Sequence, residues 1–355
     1  MKRIARFFFR LAAVCLLPLA ASCVYVFEWP ADDEEKGLYD VFLAFDADLP
    51  VWEQSAGRGE ADGSSGIYRK EGLMRHTVQV HPFIDGEPAL VSVETLSFTV
   101  DLSERDDYDC SFALRLAPGD YRVFVWSDFL ENEAAEPYYM VADFSRIGLT
   151  EGPHPGSDDA RDAFRGWADV HVDRNGAETR VPPSIHVPMQ RPLAKFELVA
   201  NDLAEFLTLE ATRNSRIQGR EMRTISLDNY TVLISYVGYL PKTYSMLSDR
   251  PIDSAVGVSF SSSLRETGDG EASLGFDYVL VKADTDQYVT VQAGIYDALD
   301  GSRVSQTGHI RIPLLRGRHT IVRGSFLMMD SSGGVGIDSD FDGDHNRDVG
   351  FTYTE

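Results

Sequence analysis

The sequence predicts an all-β protein of two tandem β-sandwich domains with one or two short helices. Three observations carry this. Apolar and polar residues alternate in short runs along most of the chain, which is the spacing of half-buried strands. Pro and Gly punctuate those runs, as in APGD at residues 117–120. A proline-rich stretch near the middle, VPPSIHVPMQRP, then divides a 355-residue chain long enough for two cores.

In chain order, residues 1–22 read as a signal peptide. Lys2, Arg3, Arg6 and Arg10 precede an apolar core from Leu11 to Leu19, followed by Ala20, Ala21 and Ser22. That core is shorter than the roughly 20 residues a lasting membrane helix needs. Cys23 stands where a lipoprotein carries its acylated first residue, LAASC resembling a lipobox. Plain secretion is the other reading, and acylation would supply the two-chain anchoring that one chain cannot. Residues 23–36 form the tether. Its acids Asp32, Asp33, Glu34 and Glu35 resemble a surface-export signal of Bacteroidetes lipoproteins, and also suit a solvated linker.

The first domain is expected at residues 37–186. In ETLSFTVDL, Leu96, Phe98, Val100 and Leu102 share one face. Phe112, Leu114 and Leu116 alternate before APGD, and Tyr121, Val123 and Val125 alternate after it, which reads as a hairpin. QSAGRGEADGSSG, residues 54–66, reads as a loop. SDDARDAFR, residues 157–165, is expected to be helical.

The second domain is expected at residues 187–330. Asp202 is a candidate N-cap with Glu205 three residues on, and Leu203, Phe206, Leu207 and Ala211 would share one helix face. The runs TVLISYVGYL, FDYVLV, YVTVQAGIY, HIRIPL and TIVRGSF continue the strand pattern. Residues 331–355 comprise an acidic loop and a last strand, VGFTYTE, either internal or donated to another chain.

Composition narrows the function. The chain carries a formal charge of −23, and losing the four leader cations would deepen it. Such a chain repels nucleic acid and anionic headgroups, so membrane attachment falls to acyl chains. With Cys15 in the leader and Cys23 acylated, Cys110 alone cannot form an intramolecular disulfide. No nucleophile elbow, paired-histidine zinc motif, P-loop or dinucleotide fingerprint occurs, so no enzyme is expected.

Two local patterns bear on ligands. Asp338, Asp340 and Asp342 at alternate positions, with Gly343 next, match the first half of an EF-hand Ca²⁺ loop. Val349 stands where a bidentate glutamate belongs, and a solvated acidic loop is the other reading. Asp253–Ser254–Ala255 resembles a Bacteroidetes O-glycosylation acceptor with Ser254 as the attachment residue; a turn after Pro251 is the alternative.

LAPGDYRVFVWSDF, PYY, PMQRPLAKFELVANDLAEF and VGYLPKTYSM together resemble FimB-type fimbrial anchor lipoproteins of Bacteroidales and neighbouring uncharacterised lipoproteins. The second half of the chain, including GGVGI at residues 333–337, is closer to the latter. The resemblance implies transthyretin-like sandwiches tethered to the outer membrane, with fimbrial subunits as partners and pilus anchoring or assembly by β-strand addition as the role. The alternative is a pilus-independent surface lipoprotein that binds a glycan or host protein.

Overall fold

The computed structural model describes residues 24–25, 39–45, 53–54, 73–101, 111–132, 134–173, 184–216, 224–268, 270–283, 285 and 287–328. Its strands form five sheets. The first sandwich pairs two of them. One runs β1 (Val24–Tyr25), β7 (Ser111–Leu116), β2 (Tyr39–Phe45), β12 (Ser184–Val187). The other runs β11 (Ala163–Val172), β8 (Gly119–Leu130), β4 (Leu73–Ile84), with β5 (Glu87–Pro88) and β6 (Glu94–Asp101) both on β4. Leu114, Leu116 and Val187 from one face meet Met74, Val78, Val123 and Val125 from the other.

The second sandwich repeats the scheme. One sheet runs β18 (Arg265–Gly268), β19 (Glu271–Leu280), β13 (Leu193–Ala200), β23 (Arg318–Gly324), β3 (Glu53–Gln54). Its partner runs β17 (Ser259–Ser263), β14 (Tyr230–Tyr236), β20 (Gln287–Asp297), with β21 (Arg303–Gln306) and β22 (Ile310–Leu314) both on β20. The chain crosses from the first sandwich to the second over residues 188–192, and β3 reaches across from the N-terminal half to pair with β23.

The fifth sheet is drawn from both halves: β16 (Arg250–Val256), β15 (Tyr239–Ser245), β10 (Ile147–Leu149), β9 (Tyr139–Met140). It covers a third core in which Phe124, Trp126, Tyr139, Ile147, Tyr244, Phe276 and Tyr278 pack together. Strand β8 is therefore buried on both faces. Val123 and Val125 face the first core, while Phe124 and Trp126 face the third.

Three local expectations are corrected. Strands β7 and β8 do not form a hairpin: β7 pairs with β2 and β1, β8 with β4 and β11. APGD instead arches from one sheet to the other. Tyr121 Oη donates to Ala117 O at 2.9 Å across the arch, and a Cβ on Gly119 would press on the Tyr121 hydroxyl at 3.3 Å. Residues 157–165 are not a helix. A 3₁₀ turn, Asp159–Arg161, is followed directly by β11, because the side chains of this segment are drawn to partners in the other half of the chain. Helix α1 (Leu203–Arg216) does form and buries Leu203 and Phe206, but Ala211 is exposed. The Asp202 side chain accepts from Leu327 N and Met328 N, the latter at 2.8 Å. Asp202 does stand at the helix N-cap position, its C=O accepting from Phe206 N at 3.0 Å, but its side chain pins the segment that follows β23 instead of the helix amides.

Candidate functional site

The densest chemistry lies where the sandwiches meet. The 3₁₀ turn and the start of β11 deliver Asp159, Arg161, Asp162 and Arg165 to the junction; β19 and the β15–β16 turn deliver Asp277 and Asp249 from the other half. Asp277 is fully buried. It accepts from Arg161 Nη1 and from Tyr236 Oη at 2.6 Å, and lies 2.6 Å from His154 Nε2. Burial alone would raise its carboxyl, but the Arg161 charge with the His154 and Tyr236 contacts outweighs that and holds it below the usual carboxylate range. Arg161 also reaches Pro155 O and Tyr278 O, each at 3.1 Å.

A second knot surrounds Asp249, which sits at φ 51° in the turn after β15. Its carboxylate accepts from Arg165 at 2.7 Å, from Arg316 at 2.7 and 2.9 Å, and from the Tyr244 hydroxyl. Here too burial is outweighed, by Arg316, Tyr244 and Arg165, and the carboxyl is lowered. Arg191 grips Asp162 with both partners buried, Lys195 meets Asp159 at 2.8 Å, and Tyr278 Oη donates to the same Asp159 oxygen at 2.7 Å. Every carboxylate in this set faces a cation, so the arrangement neutralises charge and fixes geometry. None is left as a lone base.

The shared sheet carries a depression of about 200 Å³ lined by Met140, Arg146, Gly148, Lys242, Thr243 and Asp253. Within that lining Arg146 spans to Asp253 at 3.4 Å. Ser254 is exposed on β16, in an edge strand rather than the turn considered from sequence, with its N–H donating to Asp253 Oδ1 at 2.8 Å. Among the described residues there is no group of three or more His, Cys, Asp or Glu able to hold a metal ion. Cys23, the acids Asp32, Asp33, Glu34 and Glu35, the candidate Ca²⁺ ligands Asp338, Asp340 and Asp342, and the segment VGFTYTE all lie outside the described residues.

The junction charges were not singled out as a site from sequence. The signal was present, however: PMQRPLAKF contributes Arg191 and Lys195, and VGYLPKTYSM contributes Tyr244, so two of the motifs behind the family resemblance build the joint.

Geometry and sequence together define an all-β protein of two sandwiches locked across a shared sheet. The chain belongs to a family of unknown function, DUF6562, whose model matches residues 36–354. No curated protein matches it. Among solved structures it is similar to the fimbrial anchor protein Mfa2 from Porphyromonas gingivalis, at 13% identity and TM-score 0.35 over 76% of this chain and 82% of that one. A fimbrial assembly protein from Parabacteroides distasonis matches at 11% identity and TM-score 0.38, over 84% and 93%. A candidate cell adhesion protein from Bacteroides ovatus matches at 8% identity and TM-score 0.42, over 81% and 92%.

Proposed function

We propose that this chain is a lipoprotein held at the outer membrane by acyl chains on Cys23 and displayed on the cell surface. It acts by protein–protein contact rather than catalysis, in adhesion and specifically in anchoring or assembling fimbriae, with subunits joining by β-strand addition. The observation that carries this reading is the joint. Domains within one chain ordinarily move against each other, yet here the buried Arg161–Asp277 pair, the Asp249 knot and a sheet shared by both halves tie the sandwiches together. A body without a hinge passes tension from a membrane tether to a fibre, which is what an anchor requires. The resemblance of PMQRPLAKF and VGYLPKTYSM to fimbrial anchors points the same way.

Cys23→Ala should move the protein from the membrane fraction to soluble material, and retention of the processed variant in membranes would refute acyl anchoring. Purified fimbriae should carry the protein at their base; its absence there, with surface display intact, would favour the glycan- or host-binding alternative. Neutralising Asp32, Asp33, Glu34 and Glu35 should reduce protease accessibility on whole cells. Glycosylation at Ser254 predicts added hexose in the intact mass. Ca²⁺ binding at Asp338, Asp340 and Asp342 predicts a Ca²⁺-dependent rise in melting temperature that Asp340→Asn abolishes.

A further inference from the structure

We propose that the free edge of β6, with the aliphatic loop leading into it, is the docking site for an extended segment of a partner protein that carries alternating apolar side chains between basic ends. This rests on the strand-addition reading and names where the strand adds and what chemistry it carries.

Edge strands normally carry features that discourage pairing. Strand β16 has Pro251, two register irregularities against β15, and a Ser254 N–H turned to its own neighbour's carboxylate. Strand β22 has Pro313; β18 and β21 are four residues each with a register break; β11 is bridged at Arg165 by Gln190. Strand β6 has none of these. Its eight residues hold unbroken register with β4 from Leu73↔Asp101 to Val80↔Glu94, without proline or lysine. Among the described residues no strand pairs with its outer side. On its inner face Val100 is buried, but Leu96 and Phe98 are only half-buried.

Directly before β6, the chain displays Leu90 at 78%, Val91 at 77% and Val93 at 58% exposure, beside Ile84 at 60%. This loop is held in place. Ala89 N donates to Pro82 O and Val93 N to Val80 O, both at 2.8 Å, and His81 Nδ1 lies 2.7 Å from Ala89 O. A fixed aliphatic platform beside an open edge supplies the two halves of strand recognition, side-chain contact and a row of backbone hydrogen bonds.

Charge selects the occupant. Asp85 and Glu87 are exposed beside the platform, and Glu94 and Asp101 stand at the two ends of β6. If a second copy paired antiparallel in full overlap, each Glu94 would face an Asp101, and like charges directly opposite destabilise a pair. Anionic lipid meets the same repulsion. A segment ending in Lys or Arg meets attraction at both ends.

Amide hydrogen exchange on the full chain, with and without a synthetic peptide Lys-Thr-Val-Thr-Val-Thr-Val-Lys, tests this. The peptide should slow exchange along residues 94–101 and bind about tenfold more tightly than its glutamate-ended counterpart, the ratio expected from two reversed end pairs. A Leu90→Asp/Val91→Asp double variant should keep its melting temperature and lose that protection. Protection centred on β16 or β17 would overturn the site while leaving strand addition standing; protection nowhere would remove both. Full protection of residues 94–101 without peptide would assign the edge to another segment of this chain. Protection by phosphatidylglycerol vesicles alone would assign it to lipid. Either result overturns the proposal.

Discussion

At the residue scale, two buried aspartates respond oppositely to the same low-dielectric surroundings. Asp277 has three side-chain partners and the Tyr278 N–H, and is held below its usual range; Asp128 has, among the described residues, only Arg75 as side-chain partner, through contacts of 2.9 and 2.6 Å, and burial pushes its carboxyl up to about 6. The signs follow from linkage. A lowered folded-state value makes Asp277 contribute stability above its unfolded value, near 4, and lose it as pH falls through the folded one. A raised value makes Asp128 favour the folded state increasingly as pH falls from about 6 towards 4. Carboxyl NMR should therefore show Asp128 titrating near pH 6 and Asp277 ionised below the ordinary range; the reverse order would refute the assignment. Asp277→Asn leaves Arg161 buried beside a neutral group, and should cost about 3–5 kcal/mol in urea denaturation at pH 7. None of this was legible in sequence. SDDARDAFR spaces its charges as a helix would, but its true partners, such as Asp277 for Arg161, lie 116 residues away.

At the scale of elements, periodicity was a good guide to strands and a poor one to their connections. LSFTV alternates as β6 does, and LAEFL does form a helix. What alternation cannot distinguish is a hairpin from an arch, since both need a turn and both leave each strand with one apolar face. The continuous run VFVW was a further clue: a strand apolar on both faces is buried on both, as β8 is between the first and third cores. Asp202 shows a residue type read correctly for polarity and incorrectly for partner. Its carboxylate satisfies the N–H groups of Leu327, which is part of the second core, and of Met328 beside it. Asp202→Ala should cost about 1–3 kcal/mol, the range for stranding buried donors. Exchange should accelerate at the Leu327 and Met328 amides while α1 keeps its protection. Acceleration confined to the first turn of α1 would instead restore the capping role.

For the whole molecule, the two sandwiches were visible in sequence but the sheet between them was not. Its N-terminal strands are two and three residues long, and Gly148 finds its β15 partner, Thr243, far along the chain. That sheet decides how the protein unfolds. Two sandwiches in series would ordinarily melt separately, but Trp126, Tyr139, Tyr244 and Tyr278 share one core, and the Asp249 knot binds Arg165 from β11 to Arg316 from the second half. Losing either sandwich would expose that core and strand buried arginines, a cost that couples the two transitions. Tryptophan fluorescence of a Trp29→Phe/Trp52→Phe background can test this, because the two tryptophans that remain, Trp126 and Trp167, lie on β8 and β11 of the first sandwich and residues 187–330 contain none, whereas far-ultraviolet circular dichroism reports both. The two probes should trace one urea transition in that background. Asp249→Ala removes the acceptor shared by Arg165, Arg316 and Tyr244, and should separate the traces, with each sandwich then unfolding at its own midpoint. Separate transitions already present with Asp249 intact would mean that the joint is a hinge, and the tension-bearing role proposed for it would fall.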